Sequence, residues 1–154
     1  MSNKSSEAGI QMEIRKVRFE DMQHVYELAK KYLKENYTFD LILNLWNFSP
    51  NGFLVAVEGS TVVGFIIGVK TSVDSLRILM LAVDKQHRRR GIGSALLRKL
   101  QLNFPEVRRI YLETRVDNEE AIKFYKKHGF RIVDREADFY TDGSEAYIME
   151  KILF

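Results

Sequence analysis

Cysteine is absent from all 154 residues. That excludes disulfides, zinc–thiolate sites and thiol catalysis, and it fits a cytoplasmic location. The three histidines and the acids form no cluster at metal-ligand spacing, so no metal is expected. No apolar run approaches the length of a membrane span, so no membrane is expected either. The segment from Met1 to Gly9 is polar and small. Residues 1–11 therefore read as a flexible tail and not as a secretory signal. A net charge of +3 is too small to argue for nucleic acid by itself.

What remains is a globular composition, with 45% hydrophobic and 29% charged residues. Length and composition predict one domain over residues 12–154. Periodicity predicts an edge strand over 12–17, then helices over 21–33 and 39–48. The second helix ends at Pro50-Asn51-Gly52. A hairpin follows, with strands over 53–57 and 62–70 around Glu58-Gly59-Ser60. A third strand covers 76–83 and a helix covers 91–103, stopped by Pro105. A strand over 109–114, a helix over 118–128 closed by Gly129, and strands over 130–135 and 146–152 complete the order. Strands and helices do not alternate strictly, so a doubly wound parallel fold is excluded. An α/β chain with a mixed, mostly antiparallel sheet and helices on both faces is expected.

The chemistry begins at the end of the third strand. Lys85, Arg88, Arg89 and Arg90 place four positive charges in six residues, and Gly91 and Gly93 follow. The next helix carries apolar spacing at Ile92, Ala95, Leu96, Lys99 and Leu100. A strand that feeds a helix through such a turn gathers backbone N–H groups at the helix start, where the dipole favours an anion. The Walker pattern is excluded, because no Lys-Ser/Thr follows the second glycine. The dinucleotide fingerprint is excluded, because it needs three glycines. What stands is Arg88-x-x-Gly91-x-Gly93, which resembles the pyrophosphate loop of the GNAT superfamily of acetyl-CoA-dependent N-acetyltransferases. A basic turn on a nucleic-acid surface is the competing reading.

A second stretch, Asn118-x-x-Ala121-x-x-x-Tyr125 followed by Gly129-Phe130, is similar to the second acetyl-CoA motif of the same superfamily. Its first three members lie three and four apart on one helix face. The resemblance implies a GNAT fold and acetyl-CoA as cosubstrate, held by Leu81, Ala82 and Val83 at the strand end. Arg88, Arg89, Arg90, Gly91, Ile92, Gly93 and Ser94 would take the pyrophosphate, and Asn118 and Tyr125 the rest of the cofactor. Two loops narrow the choice. Glu35-Asn36-Tyr37, and the run from Phe139-Tyr140 through Asp142-Gly143 to Ala146-Tyr147, resemble the peptide-slot walls of protein N-terminal acetyltransferases. The archaeal and eukaryotic catalytic subunits are the best match, with the bacterial ribosomal-protein alanine acetyltransferases close behind. Tyr37, Tyr140 and Phe139 would then hold the substrate. Phe139 departs from the family, which usually has a second Tyr there.

On that reading the chain transfers acetyl to the α-amine of a protein or peptide N-terminus, by direct attack in a ternary complex. Glu113, acting through water, or Glu35 is the general base. Tyr125 protonates the leaving thiolate, and a backbone N–H near Val83 binds the carbonyl oxygen. His87, set among arginines, reads as a solvated loop residue. His24 and His128 read as helix-surface or cap residues. Partners are peptide N-termini, with room for an auxiliary or ribosome-associated subunit. A GNAT enzyme acting on a lysine side chain or a small amine, and an acetyl-CoA sensor without chemistry, stay open as alternatives.

Overall fold

The computed structural model of the chain describes residues 12–154. The expected tail, 1–11, lies outside the described residues. The elements run β1 (Met12–Lys16), α1 (Met22–Tyr32), α2 (Phe39–Phe48), β2 (Phe53–Glu58), β3 (Thr61–Ser72), β4 (Ser75–Val83), α3 (Ile92–Asn103), β5 (Arg109–Arg115), α4 (Glu119–Lys127), β6 (Arg131–Glu136) and β7 (Ala146–Ile152). Three-residue 3-10 turns at Phe19–Asp21 and Lys85–His87 precede α1 and α3. Periodicity predicts neither, because a single tight turn is too short to show a period.

The strands form a seven-stranded sheet in the order β1-β2-β3-β4-β5-β7-β6. β4 and β5 pair in parallel, while β1–β2, β2–β3, β5–β7 and β6–β7 pair antiparallel. This is the expected mixed, mostly antiparallel α/β sheet. By its internal contacts the chain falls into two compact units. The first is the chain up to Gly68 with Met80–Pro105, and the second is Val69–Leu79 with Glu106–Phe154.

In the first unit, β2 is buried from Phe53 to Val57 and β3 from Val62 to Gly68 without alternation. Continuous burial means that both faces of these strands are covered. α1 turns Met22, Val25, Leu28 and Ala29 inward. α3, which packs on β1 and β2, buries Ile92, Leu96, Leu97 and Leu100. Each of these leucines contributes about 2 kcal/mol by leaving water. The stripe differs from the expected one: Leu97 is buried and Lys99 is exposed. The buried arc runs from Ile92 through Leu96 and Leu100 to Leu97, and Lys99, next to Ile92 at the opposite edge of that arc, is left in water. α2 starts at the Thr38 cap, whose Oγ1 accepts the Leu41 N–H at 3.0 Å.

In the second unit, β5 alternates. Ile110, Leu112 and Thr114 are buried, whereas Arg109, Tyr111, Glu113 and Arg115 take the other, half-buried face. α4 is strongly one-sided, and Tyr125 is its buried residue. Asn118 caps its start by accepting the Ala121 N–H at 3.2 Å. At its end Gly129 is left-handed, and the Phe130 N–H returns to the Tyr125 carbonyl at 3.0 Å.

Candidate active site

The first unit carries the anion turn. β4 ends at Val83, and the Asp84 N–H donates to the Val63 carbonyl at 2.7 Å. The intrahelical ladder of α3 begins with Ala95 N–H to Gly91 O at 2.9 Å, so the N–H groups of Ile92, Gly93 and Ser94 stand ahead of it. Gly91 is left-handed at φ 77°, and a Cβ there would meet nothing within 4 Å. The space in front of the helix start is therefore open, and an anion can approach the backbone. Arg89 is also left-handed, at φ 65°, which costs an arginine about 1 kcal/mol. Its neighbours are pinned on both sides. The Arg88 guanidinium lies 4.9 Å over the Tyr32 ring and donates from Nε to Val83 O at 3.1 Å. Arg90 is ion-paired to Glu58.

Tyr32 donates its hydroxyl to Asp84 Oδ1 at 2.6 Å, and its oxygen accepts the Lys85 N–H at 3.0 Å. The Tyr32 hydroxyl, then the His87 ring, hold the Asp84 carboxyl below the usual carboxylate range. His87 is not the solvated residue its arginine neighbours suggest. Its Nδ1 lies 3.1 Å from Asp84 Oδ2 and its Nε2 lies 3.3 Å from Glu58 Oε1. The carboxylates that seat it come from another strand and from the strand end. Glu35 and Tyr37 are half-buried in the α1–α2 loop, where the Tyr37 N–H donates to Glu35 O at 3.0 Å.

The second unit carries the remaining candidates. Glu113 is half-buried on β5, and its Oε1 accepts Arg77 Nε at 3.0 Å. Tyr125 is 7% exposed and lies edge-on to Phe124 and Phe130, with ring centroids at 5.2 and 5.3 Å. Burial pushes its phenol pKa up, so the group stays protonated. The Asn118 side-chain oxygen is committed to the α4 cap, which leaves its NH2 group for a ligand carbonyl.

Residues 138–145 form a tightly folded loop. The Tyr140 and Phe139 N–H groups both reach Ser144 O, and the Gly143 N–H reaches Tyr140 O at 2.9 Å. Asp142 accepts the Ser144 N–H at 2.9 Å and Arg115 Nη1 at 3.0 Å. Its carboxyl is held down to about 2, first by the Ser144 backbone, then by the Ser144 hydroxyl and Arg115. The Arg115 guanidinium also lies 4.4 Å over the Tyr140 ring. Phe139 meets Tyr140 edge-on at 4.9 Å. Arg115 and Arg77 were not singled out from the sequence. Both belong to alternating strands and meet carboxylates on other elements, Asp142 and Glu113, a pairing that leaves no signal in the sequence.

Among the described residues, no group of three or more His, Cys, Asp or Glu could hold a metal ion. No helix among them is long and apolar enough to cross a membrane.

A strand end, an open left-handed glycine and basic side chains before a helix make a turn that can receive an anion. The model of the acetyltransferase (GNAT) family matches residues 19–130. The chain belongs to the GNAT family of acetyltransferases. It is similar to an uncharacterised N-acetyltransferase of Methanocaldococcus jannaschii, 39% identical over 145 residues, covering 91% of each chain. It is also similar to an N-alpha-acetyltransferase of Sulfurisphaera tokodaii, 33% identical over 155 residues, covering 92% of this chain and 93% of the relative. The crystal structure of Ard1 from Thermoplasma volcanium superposes with a TM-score of 0.89 at 42% identity, covering 93% of this chain and 98% of that one. This GNAT enzyme is an acetyl-CoA-dependent N-acetyltransferase. Its Arg88–Gly93 turn suits the pyrophosphate of that cosubstrate: backbone N–H groups, an unobstructed glycine and cationic side chains meet in one segment.

Proposed function

We propose that this enzyme transfers acetyl from acetyl-CoA to the free α-amine of protein and peptide N-termini, by direct attack in a ternary complex. The observation that carries the reading is the 138–145 loop. Asp142, Gly143 and Arg115 present the edge-on pair of Phe139 and Tyr140 rings, and rigid aromatic side chains of this kind suit contact with a peptide backbone. The name of the S. tokodaii relative, an N-alpha-acetyltransferase, supports the same class. So does the pairing of acids in the 138–145 loop, Asp142 with Arg115 and Glu145 with Arg135, since a polyamine site needs several carboxylates to meet several cations.

The chemistry asks little of the base. An α-amine has a pKa of about 7.7–8.0 against about 10.4 for lysine. Near pH 7 roughly a tenth of α-amines are neutral already, but fewer than one lysine in a thousand. Glu113 takes the proton through a water, with its carboxylate oriented by Arg77 Nε at Oε1. Glu35 is the second candidate for that role. Tyr125 donates to the sulfur as the thioester breaks, and its raised pKa makes hydrogen-bond donation the larger part of that help. A backbone N–H near Val83 takes the developing oxyanion. Tyr37, Tyr140 and Phe139 position the peptide. Residues 12–154 act as one catalytic domain, a reading supported by a family match that runs through residues of both units. A cytoplasmic location goes with this substrate.

The test is mass spectrometry on a peptide with a free N-terminus and an internal lysine, beside a panel of first residues and spermidine. Acetylation of the α-amine, with the first one or two residues setting the rate, is the expected result. Modification of lysine alone, or faster turnover of spermidine, overturns the N-terminal assignment.

A further inference from the structure

The turn between β4 and α3 is poorly suited to hold itself. It contains two left-handed residues, Arg89 and Gly91, and a concentration of positive charge that repels itself. What holds it comes from outside. At one end the Tyr32 hydroxyl, from the last residue of α1, bridges Asp84 Oδ1 at 2.6 Å and the Lys85 N–H at 3.0 Å. At the other end Glu58, from the last residue of β2, pairs with Arg90 and approaches His87 Nε2 at 3.3 Å. His87 closes the chain through Nδ1, 3.1 Å from Asp84 Oδ2. The order is α1, Tyr32, Asp84, His87, Glu58, β2, with Arg90 hung from the far end. Its inner members are shielded: the side chains of Glu58 and His87 are 10% and 21% exposed.

We propose that Tyr32, Asp84, His87 and Glu58 are positioning residues that hold the Arg88–Gly93 turn in its anion-receiving shape, and so set the affinity for acetyl-CoA without acting on the acetyl group. This rests on the reading of that turn as the pyrophosphate site. It assigns to His87 a role in binding energy, not in proton transfer to substrate.

Both ring nitrogens of His87 face carboxylate oxygens, Asp84 Oδ2 on its own turn and Glu58 Oε1 on β2, so one ring ties the strand end to a second strand. Arg90 shares the Glu58 carboxylate, and Arg88 lies over the Tyr32 ring at the other end.

The experiment uses the full chain, with acetyl-CoA binding by calorimetry and steady-state kinetics against a peptide. His87→Ala and Glu58→Gln raise the acetyl-CoA KM by about tenfold, the scale of one lost charge-assisted contact. They leave the peptide KM and the saturating kcat within about twofold. His87→Gln, which keeps a hydrogen-bond donor near the ring's place, recovers part of the affinity. Tyr32→Phe, which removes the hydroxyl alone, raises the acetyl-CoA KM by roughly threefold. His24→Ala, on the exposed face of α1, leaves the acetyl-CoA KM as it was. An unchanged acetyl-CoA KM in folded His87→Ala overturns the proposal, and so does a fall in kcat with KM constant, which makes His87 a catalyst. If His87→Ala does not fold, unchanged binding in both His87→Gln and Tyr32→Phe overturns it. A wild-type chain that binds no acetyl-CoA overturns the pyrophosphate reading and the brace together. A chain that binds acetyl-CoA but acetylates no α-amine overturns the substrate assignment alone, and the variants' binding still decides the brace.

Discussion

Residues 84–91 take their shape from Tyr32 and Glu58, whose contacts with the turn span 52 and 32 residues of chain. Residues 138–145 take theirs mostly from within. Asp142 bonds the Ser144 N–H two places on, Gly143 supplies a left-handed backbone, and Ser144 O receives the Phe139 and Tyr140 N–H groups. From other elements Arg115 reaches Asp142, Arg135 on β6 pairs with Glu145, and the Val116 N–H donates to the Glu145 carbonyl, all toward the loop's far end. The contrast follows from what each loop must present. The first offers bare backbone to an anion, so its own side chains cannot fill the site and its support comes from neighbours. The second offers two aromatic rings, and its backbone is free to knot on itself beneath them. An external brace makes affinity depend on distant residues, while an internal knot makes it depend on the loop's own turn chemistry.

The sharpest way to break the first loop without touching its brace is Gly91→Asp. A carboxylate beside a pyrophosphate costs several kcal/mol through like-charge juxtaposition, and the left-handed backbone adds strain. Acetyl-CoA affinity falls by more than about 10²-fold, measured by calorimetry on protein shown to be folded by circular dichroism. Retained affinity removes the turn from the cosubstrate site.

Tyr125→Phe tests the converse, a residue outside both loops that sets rate and not affinity. Turnover falls by roughly 10²-fold while acetyl-CoA affinity stays within a few-fold. Unchanged turnover across pH leaves Tyr125 as a packing residue between Phe124 and Phe130.

Asp142→Ala cuts the knot of the second loop. Without the carboxylate, the Ser144 N–H and Arg115 both lose a partner, and the Tyr140 ring loses its fixed place under the guanidinium. Peptide KM rises by about tenfold and acetyl-CoA KM does not move. Acid probes the same contact. A carboxyl lowered from 3.8 to about 2 in the folded state gives its support fully above 3.8, and that support is lost as pH falls through about 2. The Ser144 amide resonance therefore keeps its position from pH 7 to 4 and shifts only below that. A shift centred near 4 contradicts the knot.

The same contrast decides what could be read from the chain alone. α2 was expected over 39–48 and runs Phe39–Phe48, because Thr38 and Pro50 mark its ends locally. Arg88-x-x-Gly91-x-Gly93 and Asp142-Gly143 are also local, and each stands where its residues are adjacent. Contacts between distant residues are invisible to spacing. Glu113 appeared as a carboxylate at a strand end, but its partner Arg77 lies 36 residues earlier, across a parallel strand pair. His87 was judged by the arginines beside it in sequence, whereas Glu58 on β2 gives it its second carboxylate. Leu97 and Lys99 on α3 exchange places for a related reason: a single helix stripe does not say which edge of it meets the sheet.

The smallest expected effect adds a hydroxyl at Phe139, where the resemblance to N-terminal acetyltransferases implies a second Tyr. Phe139 is 37% exposed, so a hydroxyl at the end of its ring reaches water without displacing packed atoms. The ring meets Tyr140 edge-on at 4.9 Å, an arrangement that a para substituent leaves alone. A single neutral hydrogen bond contributes about 0.5–1.5 kcal/mol, and at an exposed rim water competes for it, so the lower end applies. Phe139→Tyr should therefore lower the peptide KM by about twofold, with kcat and acetyl-CoA KM unchanged. If the loop were loose and shaped only by its substrate, a new hydroxyl could be placed anywhere, and the gain would vary with the peptide's first residues. An internally knotted loop gives the same small gain on every peptide of the panel. A gain confined to one or two peptides therefore contradicts the knot, and a uniform one supports it.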